Sequence, residues 1–323
     1  MFNSGATEGI QTAILSALIA LHDRGGRRRI ERALASGRCH RKKAVPESLA
    51  HWNRVLCLDL DIVVLEVGQD GRHDLAQLRM LAPEAGLVCT MAANNETGVT
   101  SDLAGIEAAL TDSAAYWLVD CVQALGKLGL ALQRTRINYA PFSGHKLYAP
   151  KGIGMLYVRQ GAPSTPLMVG GGQESDQRSG TENMSGVSAL CEVLAALESG
   201  ALFSSEQKLE ALHAQLVTSL SAAFRGIVFN APSALALPTT INRYFLWLSS
   251  RKSLELFDAA ELRVRPAAPA RRRSPSRTSY CARRVCQRGK PEHRFAFHSG
   301  RRPAKGTCPP PAPASRIVAT WCA

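Results

Sequence analysis

Between Gly86 and Val158 the chain repeats one arrangement, in which a short apolar run ends on polar side chains of a chemically useful kind. Gly86-Leu87-Val88-Cys89-Thr90-Met91 leads into Ala92-Ala93-Asn94-Asn95-Glu96-Thr97-Gly98. Tyr116-Trp117-Leu118-Val119 ends on Asp120, with Gln123 three residues later. The stretch from Ile137 to Phe142 ends on Ser143-Gly144-His145-Lys146, and the glycine-punctuated run Lys151-Gly152-Ile153-Gly154-Met155-Leu156-Tyr157-Val158 follows. Short apolar runs bounded by turn residues read as buried strands, and the ligands of open α/β sheets gather beyond the carboxyl ends of such strands.

Upstream, Ser4-Gly5-Ala6-Thr7-Glu8 opens an amphipathic helix whose apolar positions Ile10, Ala13, Ile14, Ala17, Leu18 and Leu21 follow the i, i+3, i+4, i+7 spacing. Free N–H groups and the Thr7 hydroxyl at a helix N-terminus stabilise an anion, although a Ser or Thr there also serves as a plain cap. Lys146, between two expected strands and flanked by a hydroxyl and an imidazole, suits a Schiff-base nucleophile, because desolvation and cationic neighbours lower a lysine's pKa. The competing reading is a solvated loop lysine. Asn94 and Asn95 suit either a ligand contact or a turn. An aspartate at the position of Asp120 can keep a pyridinium nitrogen protonated.

Six segments in register resemble the cysteine desulfurases of the class-V aminotransferases, which use pyridoxal 5'-phosphate. They are Ser4-Gly5-Ala6-Thr7-Glu8, Asn94-Asn95-Glu96-Thr97-Gly98, Asp120-Cys121-Val122-Gln123-Ala124, Ser143-Gly144-His145-Lys146, Gly170-Gly171-Gly172-Gln173-Glu174 and Arg178-Ser179-Gly180-Thr181-Glu182-Asn183. The resemblance runs from Asn3 to about Val264. It implies that Lys146 forms the internal aldimine, Asp120 pairs with the pyridine nitrogen, and Asn95 and Gln123 contact the ring hydroxyl. It further implies that Ala6, Thr7, Ser143 and His145 hold the phosphate and that Thr181 reaches a phosphate across a homodimer interface. The implied fold is the type I arrangement of these enzymes: a mostly parallel sheet with helices on both faces, and a smaller α+β domain. The implied reaction takes sulfur from L-cysteine, leaving alanine and an enzyme persulfide that serves a sulfur-acceptor protein in iron–sulfur cluster assembly or thiolation. Two other readings remain open: another class-V enzyme, such as a selenocysteine lyase or an aminotransferase, or a non-catalytic protein that binds polyanions.

At 323 residues the chain is long enough for two domains. Boundaries are expected at 1–198 for the cofactor domain, 199–264 for a partial small domain and 265–323 for a tail. Neither a signal peptide nor an apolar run of membrane-spanning length is visible, so a soluble, cytoplasmic protein is expected. The nine cysteines are scattered and odd in number, which suits reduced thiols, and no spacing suggests a metal. The net charge of +13 equals that of the segment from Arg265 to Ala323, with twelve arginines, two lysines and one glutamate, Glu292. This tail holds nine of the 17 prolines and lacks helical or strand periodicity, so disorder is expected. Its charge would bind nucleic acid without sequence preference.

Two stretches depart from the family pattern. Arg27 to Lys43 carries eight basic residues and one acidic residue, Glu31, where the family has a histidine that stacks on the cofactor ring. His40 is the candidate, set against an exposed histidine in a basic loop. After Val264 the family has a small-residue loop bearing the nucleophilic cysteine, whereas here Arg265-Pro266-Ala267-Ala268-Pro269-Ala270-Arg271-Arg272-Arg273 contains no thiol. The composition beyond it suggests a frameshift near 263–266, and Met1 stands just upstream of the Ser-Gly-Ala-Thr motif, which suggests an N-terminal truncation. Cys281 and Cys286, among arginines that would lower a thiol pKa, are alternative nucleophiles at the wrong spacing. Arg294-Phe295-Ala296-Phe297 faintly echoes the family's carboxylate-binding motif.

Overall fold

The computed structural model describes residues 1–25, 32–36, 44–200, 204–245, 250–259, 264–266 and 295–298. They fall into two compact units, the first comprising 1–67, 72–93 and 101–203, the second 68–71, 94–100 and 204–323.

The first unit is built on a seven-stranded sheet. In chain order its strands are β1 (Phe2–Asn3), β2 (Arg32–Ser36), β3 (Asp61–Leu65), β4 (Leu87–Met91), β5 (Tyr116–Asp120), β6 (Tyr139–Ser143) and β7 (Gly154–Val158), arranged in space as β1-β7-β6-β5-β4-β2-β3. The pairs from β3 through β6 are parallel, whereas β7 runs antiparallel to β6 and β1 antiparallel to β7. Successive side chains on a strand point to opposite faces, and here they feed two separate cores. Leu87, Cys89, Tyr116, Leu118 and Tyr139 pack with Ile10, Ile14 and Leu18 of helix α1 (Ala6–Gly25) and Leu49 of α2 (Ala44–Leu56). Val88, Trp117, Val119 and Phe142 pack with Leu78 of α3 (Leu75–Leu81) and Ile106 of α4 (Leu103–Ala109). Helices therefore cover both faces, which is why β4, β5 and β6 are buried along their whole length. Helix α5 (Met184–Glu198) completes the unit, with Asn183 as its N-cap.

The second unit carries α6 (Glu206–Ala223), capped by Ser205, and α7 (Ser250–Ala259). Its four-stranded antiparallel sheet has the order β10-β11-β9-β8, from β8 (Ile227–Phe229), β9 (Thr240–Phe245), β10 (Arg265–Pro266) and β11 (Phe295–His298). Leu216, Leu220, Ile241, Phe245 and Phe257 form its core.

The layered α/β architecture agrees with the fold that the motifs imply. Two details differ from the sequence reading. Arg32–Ser36, inside the anomalous basic stretch, forms β2 and lies between β3 and β4. Phe295–His298, inside the tail that lacks strand periodicity, pairs with β9 with Phe297 opposite Ile241. In both places the pairing is set by the neighbouring strands, a tertiary demand that local composition does not reveal. Cys281, Cys286 and Arg294 lie outside the described residues. Among those described, no helix is long and apolar enough to cross a membrane.

Candidate active site

The site grows from the way the chain enters α1. Strand β1 pairs with β7 so that Asn3 stands opposite Gly154. Asn3 Oδ1 accepts a hydrogen bond from Gly5 N at 3.0 Å, and Glu8 Oε2 accepts one from Ser4 N at 2.8 Å. The entry turn is thus held by side chains before and after it, much as in a capping box. Glycine at 154 has a steric cause: a Cβ there would lie 2.5 Å from Phe142 O and 2.6 Å from Gly5 Cα. The N-terminus of α1 and the end of β6 therefore meet at backbone-contact distance.

That meeting gathers the polar ends of two parallel strands beside a helix N-terminus. Asp120 ends β5 with 2 % of its surface exposed, and its Oδ1 accepts a hydrogen bond from Val122 N at 3.1 Å. Ser143 ends β6, and its Oγ is 2.9 Å from Nδ1 of His145. A 3-10 turn over Gly144–Leu147 carries His145 and Lys146 and closes on Tyr148, which takes a left-handed conformation (φ 68). Partial burial lowers the pKa of the His145 imidazole, and the charges of Lys146 and Lys151 lower it further, which favours the neutral ring. Ala6, Thr7, Asp120, Ser143, His145 and Lys151 line one cleft of ≈ 500 Å³. Helix first turns present N–H groups without intrahelical acceptors, so this cleft offers an anion site at one end and a buried carboxylate within it.

The remaining residues singled out from sequence are distributed differently. Lys146 is half-buried on the turn that carries His145 but does not itself line the cleft. Gln123, 4 % exposed, follows β5, and its Oε1 accepts a hydrogen bond from Lys127 Nζ at 3.3 Å. Asn95 belongs to the second unit, where its Nδ2 donates to Glu96 Oε1 at 3.2 Å. Thr181 is exposed on the segment between β7 and α5. His40 lies outside the described residues.

Three supporting contacts escaped the sequence reading. Asn3 supports the turn into α1. Arg178 grips Glu8, with Nε 2.9 Å from Oε1 and a terminal nitrogen 3.4 Å from Oε2, and so ties the segment bearing Thr181 to α1. Lys127 holds Gln123. The i, i+4 spacing of Gln123 and Lys127 is a legible signal. Nothing local announces a contact between residues 8 and 178.

Comparison with known proteins converges on one group. The family model for class-V aminotransferases matches residues 1–266. The chain is 38% identical over 197 residues to cysteine desulfurase 2 of Trichormus variabilis, covering 59% of this chain and 45% of that protein. It is 34% identical over 267 residues to a cysteine desulfurase of Gluconacetobacter diazotrophicus, covering 80% and 62% respectively. The chain thus spans between about half and two thirds of the length of these curated relatives. Among solved structures, DndA from Streptomyces lividans superposes with a TM-score of 0.71 at 28% identity, covering 92% of this chain and 82% of that one. With its sheet, its strand-end motifs and a match that spans both units, the chain belongs to the class-V aminotransferase family.

Proposed function

We propose that this chain is a pyridoxal 5'-phosphate protein of the cysteine desulfurase type, acting on L-cysteine. The observation that carries the reading is the convergence of the α1 N-terminus, Ser143, His145 and buried Asp120 on one cleft. The residues fit the cofactor. A side chain at Gly5 would project to within 3.5 Å of Ser143 Oγ, so the glycine leaves room beside the hydroxyl for a phosphate. The pairing of an anion site with a buried carboxylate suits a ligand that is anionic at one end and a protonated base at the other.

When bound, the cofactor supplies an aldehyde for an amine and a ring that accepts the electron pair released at the substrate's Cα. Thr7, Ser143, His145 and the first-turn amides of α1 would bind the phosphate. Asp120, whose Oδ1 accepts from Val122 N, would hold a proton on the ring nitrogen. Gln123 would orient the ring through its hydroxyl oxygen, a part the resemblance also assigns to Asn95. Lys146 Nζ would be the amine for the aldehyde and the group that carries the Cα proton. Thr181, exposed and outside this cleft, suits service to the phosphate of a second copy in a homodimer. Taking sulfur from the substrate needs an enzyme thiolate to form the persulfide, and the sequence from Arg265 to Arg273 contains none. This favours a chain that takes up cofactor and substrate but releases little sulfur.

Addition of pyridoxal 5'-phosphate to the purified protein should produce a visible absorbance band that borohydride bleaches as it fixes the cofactor covalently to Lys146. Lys146→Ala should abolish the band. A wild type that stays colourless, or a variant with the same spectrum, overturns the assignment.

A further inference from the structure

Glu8 is the third residue of α1 and lines the cleft onto which the first turn of that helix opens. Its carboxylate therefore stands beside the same N–H groups that a bound anion would use, and a carboxylate at a helix N-terminus is itself attracted to them. Two residues hold it elsewhere. Arg178 donates from Nε to Oε1 at 2.9 Å and from a terminal nitrogen to Oε2 at 3.4 Å, and Ser4 N donates to Oε2 at 2.8 Å. Both oxygens are engaged, and the Glu8 side chain is 11 % exposed. Arg178 does not line the cleft. It lines a smaller neighbouring cavity that shares Ser4 and Gly152 with the cleft. Its effect on the cleft is thus exerted through Glu8.

We propose that Arg178 is a positioning residue of the cleft's anion end: it holds the Glu8 carboxylate off the first-turn amides of α1 and neutralises it, which leaves those amides to a phosphate. This rests on reading that end of the cleft as the phosphate site. Without Arg178 the chain would carry its own competitor, a largely buried negative charge three residues into the helix whose N–H groups the phosphate needs. Like charges in one partly buried site disfavour each other, whereas the paired Glu8 and Arg178 add no net charge. Burial works against the ionised form of Glu8, and the hydrogen bonds from Arg178 and Ser4 reverse that balance, so the carboxylate is kept charged by its partners. Other charged or titratable groups face the pair: Asp120, His145 and Lys151 in the cleft, and Glu174 and Glu182 beside Arg178 in the smaller cavity. Changes at positions 8 and 178 leave their identities unaltered, so comparison among variants isolates the pair.

Inorganic phosphate, titrated into the full chain without cofactor and followed by phosphorus NMR at pH 8, tests this. Arg178→Met should bind phosphate about tenfold more weakly than wild type, the order of magnitude of a like-charge repulsion across a partly solvated site. Glu8→Gln removes the competitor and should bind phosphate at least as tightly as wild type. Combining Glu8→Gln with Arg178→Met should restore affinity to within about threefold of wild type. A purely structural pair gives the opposite pattern, in which each single change weakens binding and the double variant does not recover. Wild-type affinity in Arg178→Met, weakened binding in Glu8→Gln, or a double variant as weak as Arg178→Met overturns the proposal. Should Arg178→Met fail to fold, Glu8→Gln and the double variant still decide. A wild type that binds no phosphate refutes the phosphate site and this proposal with it, whereas phosphate binding without an absorbance band on addition of pyridoxal 5'-phosphate refutes the cofactor reading alone.

Discussion

Glu8 joins two distant backbone segments with a single carboxylate. It accepts from Ser4 N at the mouth of α1 and from the guanidinium of Arg178, and its side chain is 11 % exposed against 22 % for Arg178. Burial works against the charge of Glu8, but the hydrogen bonds from Arg178 and Ser4 outweigh it and hold the carboxyl below its ordinary value. A carboxyl that binds its proton less readily when folded contributes its full stability above the ordinary glutamate pKa of 4.5, and that contribution fades as pH falls through the lower folded value. Glu8→Gln, which keeps the shape and loses the charge, should therefore destabilise the protein by about 1.5 to 3 kcal/mol near neutral pH. The deficit should shrink towards zero near pH 3 as the wild-type carboxyl protonates. Urea midpoints of the two proteins at both pH values measure this, and a deficit independent of pH would mean that the ionised pair is not what Glu8 contributes.

At the scale of elements, the site depends on how closely α1, β6 and β7 approach one another. Gly154→Ala would drive a methyl group into Phe142 O and Gly5 Cα, both backbone atoms with no rotamer to yield. The sheet must open locally, at a cost of about 1 to 3 kcal/mol. The end of the cleft proposed to take the phosphate, formed by that approach, should lose affinity for pyridoxal 5'-phosphate more than a generic loss of stability explains. Titration of the cofactor under conditions where the variant is fully folded checks this, and unaltered affinity would detach Gly154 from the site. Elements of this kind were unequally legible in the sequence. Helix α1 announced itself by its period, and β4, β5 and β6 by apolar runs ending in polar residues, because buried parallel strands need apolar side chains on both faces. Strand β1 has two residues, and β2 has one leucine among arginine, alanine and serine, so neither carries a pattern. Their partners, β7 for one and β3 with β4 for the other, specify them.

At the scale of the molecule, the order of motifs along the chain singled out Thr7, Asp120, Ser143 and His145, and the fold brings these four to one cleft. What order could not supply was the support between distant residues, such as Arg178 on Glu8, because such contacts follow from the folded sheet and not from spacing. The same division between what binds and what reacts leads to the last prediction. The groups expected to hold cofactor and substrate lie before residue 200, whereas the step that releases sulfur requires a thiolate that can reach the substrate's sulfur. The resemblance to cysteine desulfurases implies that this thiolate comes from the loop after the Arg-Val that here is Arg263-Val264, where Arg265 to Arg273 offers proline, alanine and arginine. Cysteine added to the cofactor-loaded protein should therefore shift its visible spectrum, while sulfide released in the presence of dithiothreitol should remain near the level of a cysteine and cofactor control. Arginines beside Cys281 and Cys286 would favour their thiolates, which makes these two the residues to test if turnover is found. Robust sulfide release that is lost in Cys281→Ser or Cys286→Ser would refute the expected impairment and make the basic segment a working part of the enzyme.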